Sequence, residues 1–157
     1  MYDFLLTQEE QELKQEAREF TRDEITSDFL RKMDKDEITY PREFVEKLAA
    51  KNLRGIRFPK KYGGREMSWA AEMAATEEIG CLGMALGCAF VMPSIVGEAL
   101  NVFGTEEQKQ AWLPKMATGE YIGAIAMTEP GTGSDLQNIK TYAVKDGDDY
   151  IVNGAKV

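Results

Sequence analysis

The sequence predicts a mainly α-helical domain over residues 1–119, followed from residue 120 by the first strands of a β-domain. Three observations predict it. Thr7 followed by Glu10, and Thr105 followed by Gln108, have the spacing of capping boxes, in which the hydroxyl and the acidic or amide side chain satisfy each other's free backbone N–H groups. Between these two starts, apolar residues recur three and four apart, as on the buried face of helices. At Gly119 that period ends, and short apolar runs separated by Gly, Pro and Asp turns take over.

The helix opened by Thr7 carries Leu13, Ala17 and Phe20 on one face. Up to residue 40 there are 12 acidic and 6 basic side chains, so its outer face is a solvated, acidic one. Asp34-Lys35-Asp36 breaks the pattern. Pro41 suits the first turn of the next helix, which packs through Phe44, Val45, Leu48 and Ala49 and ends at 52–55. Residues 56–59 read as extended, and Lys60-Lys61-Tyr62-Gly63-Gly64 as a turn whose lysines are solvated charge. A third helix starts near Ser68, and a fourth, low in charge, covers 82–100. Phe90, Val91, Met92 and Ile95 belong to that last stretch; they read as buried packing or as the lining of an apolar slot, and composition does not separate the two. After Gly104, the Thr105 helix packs through Trp112, Leu113 and Met116. Tyr121 to Met127 and Thr141 to Val144 read as strands, with Tyr150 to Val152 returning after the Asp146-Gly147-Asp148-Asp149 turn. Three strands with an exposed face do not bury one another. The sequence therefore reads as the opening of a longer protein, with a small domain that associates through its β edge as the alternative.

Composition narrows the function. With 19 basic and 27 acidic side chains the net charge is −8, which disfavours nucleic acid as a partner. An anionic cofactor stays open, because backbone N–H groups bind phosphate locally. The chain has no histidine, which removes Ser-His-Asp and Cys-His nucleophiles and histidine-held zinc. No metal site is expected. Cys81 and Cys88 read as small buried hydrophobes. The first ten residues lack a signal-peptide pattern, and the weakly charged 79–96 region, with its small residues and Pro93, suits a buried helix pair better than a membrane span. A cytoplasmic protein is the expectation.

The stretch with most chemistry is A-I-A-M-T-E-P-G-T-G-S-D at 124–135. Pro130-Gly131 stops the preceding apolar run, and Gly133 keeps the next turn free of side-chain bulk. Thr128, Thr132 and Ser134 supply hydroxyls, and the 131–134 backbone can turn several N–H groups toward one anion or one polar ring edge. An ordinary Gly/Pro turn between strands accounts for the same residues.

M-T-E-P-G-T-G-S-D at 127–135 resembles a signature of the acyl-CoA dehydrogenase family. The likeness extends to F-P-K-K-Y-G-G at 58–64, F-G-T-E-E-Q-K-Q-A-W-L-P-K-M-A-T-G-E at 103–120 and V-N-G-A-K at 152–156, in the family's order and spacing. The resemblance implies a helical N-terminal domain at 1–119 and, at 120–157, the truncated start of a β-barrel or sandwich middle domain. It implies FAD as cofactor, an acyl-CoA thioester oxidised at its Cα–Cβ bond, an electron-transfer flavoprotein or similar acceptor, and a homotetramer or dimer. Met127 and Thr128 would lie against the flavin, with the Thr128 hydroxyl near its N5–O4 edge. Gly133 and Ser134 would face the pyrophosphate, and Ile125 would line the ring or substrate side. Phe90, Met92 and Ile95 would line the acyl pocket. Glu129 tempts as a base, but the family's catalytic carboxylate matches no residue in this chain, so no catalytic residue is expected here and the isolated chain is expected to be inactive. An acyl-CoA oxidase or flavin monooxygenase-like relative, or a non-enzymatic helical interaction module, are the competing readings.

Overall fold

The computed structural model describes residues 3–157, so the first two residues of the expected 1–6 lead-in lie outside the described residues. The chain forms two compact units, Met1–Ala124 and Ile125–Val157. The first holds six α-helices among the described residues, and the second a short, unclosed two-stranded sheet. The mainly helical class with a following β segment is therefore the observed one.

In the first unit the helices are α1 (Gln8–Glu24), α2 (Ser27–Asp34), α3 (Arg42–Ala50), α4 (Trp69–Gly80), α5 (Met84–Phe103) and α6 (Glu106–Ala117). Both capping boxes form: Thr7 and Glu10 at α1, Thr105 and Gln108 at α6. Thr26 and Ser68 cap α2 and α4 with their hydroxyls. Glu10 does more than close its own box, because its carboxylate also accepts from the Ser68 hydroxyl. Near the other end, Arg18 reaches Glu78 through a two-pronged contact at 2.8 and 3.0 Å. These ties make α1 and α4 run side by side in the same direction.

The apolar stripes meet as read. Leu13, Ala17 and Phe20 of α1 pack with Phe44, Val45 and Leu48 of α3, and Phe20 meets Phe44 edge-on at 5.8 Å. A second cluster joins Phe58 and Tyr62 to Leu113, Met116 and Ala117 of α6. Helix α5 is, among the described residues, long and apolar enough to cross a membrane. Here it packs against α3, α4 and α6, with Leu86, Phe90, Pro93, Ser94 and Gly97 buried.

Several expectations change. Cys81 and Cys88 are exposed, not buried. Cys88 lies about 200° around the helix from both Leu86 and Phe90, which take the inward face. Cys81 follows the end of α4, where its thiol donates to the Glu77 carbonyl. Trp112 is half exposed, because Leu113, Met116 and Ala117 occupy the inward stripe; its ring leans on Tyr121 at 5.3 Å. Residues 121–127 form no strand, having no ladder partner among the described residues. Reading 52–55 as a helix end and 56–59 as extended chain hid two cations with buried side chains. Arg54 donates to the Met116 carbonyl near the end of α6. Arg57 stacks 3.2 Å over the Trp69 ring and reaches Glu98 at 2.9 Å. Buried Glu72 faces this seam, and burial pushes its carboxyl up. Lys14, read as part of a solvated face, is buried between Asp3 at 2.7 Å and Glu77 at 2.9 Å; the hydrogen bond it donates to Asp3 leads in raising its ammonium above the usual range.

In the second unit β1 (Tyr142–Asp146) and β2 (Asp149–Asn153) pair antiparallel, with Val144 opposite Ile151. β1 starts one residue later than the run read from the sequence and runs two residues further, and β2 is one residue longer at each end. Of the two loop residues only Gly147 has positive φ, at 62°, as at the first central position of a type II′ turn.

One close approach tests the packing of the first unit. A Cβ at Gly97 would stand 2.0 Å from the Phe58 ring, which is buried in the second cluster. Gly-to-Ala in an exposed helix interior gains about 1 kcal/mol, but overpacking a filled core costs about 1–3 kcal/mol. At 2.0 Å the clash belongs to the upper half of that cost and outweighs the gain, so Gly97→Ala should lower the unfolding free energy by roughly 1–2 kcal/mol in denaturant titration. A variant as stable as the wild type would show that Phe58 has room to move.

Candidate functional site

The 124–135 stretch is held by its own backbone first. Glu129 and Thr132 exchange both backbone hydrogen bonds, at 2.9 and 3.0 Å, around Pro130 and Gly131. Pro130 has no N–H to leave unpaired, which suits it to this turn. The buried Thr132 hydroxyl then donates to the Asn138 carbonyl at 3.1 Å. A short 3₁₀ turn, Leu136–Asn138, follows, and Asn138 donates its side-chain amide to Asp135.

Glu129 fixes this loop to the hairpin. Its side chain is buried, and its two oxygens accept from the consecutive N–H groups of Lys140 at 2.8 Å and Thr141 at 3.0 Å. Lys156, beyond β2, lies 3.1 Å from the same carboxylate and donates to the Met127 carbonyl at 3.1 Å. Val157 donates its N–H to the Thr128 carbonyl at 2.9 Å. The Thr141 side chain beside it, the backbone N–H groups and Lys156 bring the Glu129 carboxyl down from 4.5 to about 2. The Thr141 hydroxyl itself finds no partner at full hydrogen-bonding geometry. A carboxylate so held stays ionised and committed at neutral pH, which removes Glu129 as a proton acceptor.

The outer side of the loop is uncommitted. Ile125, Met127, Thr128, Gly133 and Ser134 are all exposed. Among the described residues the Thr128 and Ser134 hydroxyls make no hydrogen bond, and the N–H groups of Gly131, Gly133 and Ser134 donate to nothing. A Cβ placed on Gly131 or Gly133 would meet no atom of the chain within 4 Å. Free donors on a fixed backbone with open space beside them fit a phosphate-bearing group. Among the described residues no cluster of acidic or thiol side chains has the arrangement of a metal site.

The other three predicted site residues lie in the first unit. Phe90 is buried on the inward face of α5. Met92 is half-buried and Ile95 exposed; they are i,i+3 neighbours, and Phe90 is not on their side of the helix. The sequence reading did not anticipate an apolar cleft of about 440 Å³ lined by Val96, Leu100, Trp112, Met116, Tyr121 and Ile122. Its signal was the pairing of Val96 with Leu100 and of Trp112 with Met116, each four apart on its helix. Lys156 was missed as well, because a contact across 27 residues has no local pattern.

Residues 7–120 match the family profile described as the acyl-CoA dehydrogenase N-terminal domain, and residues 124–157 match that of the acyl-CoA dehydrogenase middle domain. The chain belongs to the acyl-CoA dehydrogenase family. It is 37% identical over 159 residues to the short-chain specific acyl-CoA dehydrogenase of Clostridium acetobutylicum, covering 99% of this chain and 41% of that protein. It is 35% identical over 156 residues to the acryloyl-CoA reductase (NADH) of Anaerotignum propionicum, covering 98% of this chain and 39% of that one. It superimposes on a glutaryl-CoA dehydrogenase from Mycobacterium smegmatis, solved in complex with FADH2, with a TM-score of 0.87 at 27% identity, covering 98% of this chain and 39% of that one. The chain thus spans about two-fifths of the length of these relatives.

Within this acyl-CoA dehydrogenase segment the Glu129 carboxyl has a checkable titration. Its folded value is depressed, so its contribution to stability is full above the ordinary 4.5 and is lost as pH falls through about 2. The side-chain carboxyl carbon of Glu129, followed by NMR, should titrate with a midpoint near 2. A midpoint near 4.5 would mean that the backbone N–H groups are not holding it.

Proposed function

We propose that these residues serve an FAD-dependent acyl-CoA dehydrogenase that oxidises the Cα–Cβ bond of an acyl-CoA thioester to the trans-2-enoyl thioester. The observation that carries this reading is the exposed edge of the 125–135 loop, with free hydroxyl and N–H donors on a pinned backbone. Family membership supports it. Bound there, FAD would supply the acceptor for the hydride that leaves Cβ. Thr128 holds the polar edge of the ring with its hydroxyl. Gly133 and Ser134 hold the pyrophosphate with N–H and O–H donors, which is why local donors suffice in a chain of net charge −8. Ile125 and Met127 give the ring an apolar neighbour and exclude water. Met92 and Ile95, with Phe90 behind them in the core, shape the acyl slot on α5.

Proton removal from Cα is not assigned to this chain, since Glu129 is committed to the backbone and no other residue here stands as the base. The division into a helical domain at 1–119 and a middle domain from 120, a homotetrameric assembly, an electron-transfer flavoprotein as acceptor and a cytoplasmic location belong to the same proposal. The likeness to an acryloyl-CoA reductase favours a second reading, reduction of an enoyl thioester on the same flavin site.

Thr128→Val tests the reading, because it keeps the β-branched shape and removes only the hydroxyl. A hydrogen bond to a charged group is worth about 1.5–3 kcal/mol, or roughly 30–65 mV for a two-electron couple. In the flavin-loaded protein the potential should fall by that amount, and reduction by acyl-CoA in stopped flow should slow. Equal potentials and equal rates at full FAD occupancy would assign Thr128 to packing alone.

A further inference from the structure

We infer that Glu129 and Lys156 form a positioning pair that sets the backbone entering the Glu129–Thr132 turn for the cofactor and neutralises the charge behind it. The inference rests on the flavin reading above. Five hydrogen bonds or ion pairs enter residues 127–129 from two remote places: Lys140 and Thr141 at the start of the hairpin, Lys156 and Val157 beyond its end. Lys156 takes part in two of them, bridging the Glu129 carboxylate and the Met127 carbonyl. The backbone that carries the Thr128 hydroxyl is therefore fixed from one side by Lys156 and Val157, and from the other by Glu129.

The charge argument separates this role from simple stapling. A buried carboxylate one turn away from Gly133 and Ser134 would oppose any phosphate held by those N–H groups. Lys156 and two aligned backbone N–H groups cancel that field at its source. The other loop carboxylate, Asp135, accepts from Asn138. With the pair intact an anion meets donors; with Lys156 replaced by an apolar side chain it meets a carboxylate balanced only by the two backbone N–H groups. Glu129 is thus kept out of proton transfer by the same bonds that make it a strut.

The test uses three variants: Glu129→Gln and Lys156→Met, which remove one charge each, and Lys156→Arg, which keeps it. In each, amide exchange at Lys140, Thr141 and Val157 reports the clasp. The FAD dissociation constant and the visible flavin spectrum of the loaded holoenzyme report the site. Glu129→Gln and Lys156→Met should speed exchange and shift the flavin bands; Lys156→Met should weaken FAD by about ten-fold or more, Glu129→Gln by less, because it also removes the opposing charge; Lys156→Arg should keep all three at the wild-type values. Faster exchange with unchanged FAD affinity and spectrum would overturn the proposal, leaving a purely structural clasp. Unchanged exchange would overturn it as well. Wild-type protein that retains no FAD would overturn the flavin reading and this proposal with it, whereas retained FAD that is indifferent to the variants overturns this proposal alone.

Discussion

A carboxylate that accepts from two successive backbone N–H groups and pairs with a lysine is held on both of its oxygens, and in the second unit that constraint falls on Glu129. The loop depends on it. Pro130 and Gly131 make the turn, but a turn alone leaves its flanks free. The Glu129 side chain ties the incoming flank to the start of β1, Lys156 ties the same flank to the residues after β2, and the Thr132 hydroxyl holds the outgoing flank to Asn138. What is left unbonded is the outward edge with Thr128, Gly133 and Ser134, so the same bonds that order the loop also decide which donors remain for a ligand.

The helical unit follows a similar economy. Glu10 closes its own capping box and also takes the Ser68 hydroxyl, so one carboxylate orders the starts of both α1 and α4. Buried Lys14 meets Asp3 and Glu77, and Arg57 lies between Trp69 and Glu98. Buried charges survive only where partners and hydrogen bonds surround them. These contacts set the register of α1, α4 and α5 around the apolar clusters.

Much of the helical unit was legible because its signals are local. Thr7 with Glu10, and Thr105 with Gln108, announce helix starts within four residues, and Leu13, Ala17 and Phe20 announce the buried face of α1. The misreadings share a cause. Cys88 and Trp112 are apolar residues next to buried stripes, and only the exact phase of each stripe turns them outward. Lys14 and Arg57 look like surface charge until their partners arrive from elsewhere in the chain. Residues 121–127 have strand composition, yet a strand exists only beside a partner. In the loop, the Gly and Thr pattern marked the exposed donors, whereas the Glu129–Lys156 bond depends on the hairpin between them and left no trace in the spacing.

If the outward donors of the 125–135 loop receive the cofactor, they are shielded from water when it binds. Hydrogen exchange of the protein with and without FAD measures that shielding most directly. The account predicts that FAD slows exchange at the amides of Gly131, Gly133 and Ser134, while those of Lys140 and Thr141, already bonded to Glu129, change little. Bound FAD that leaves the Gly131, Gly133 and Ser134 amides unprotected would contradict it.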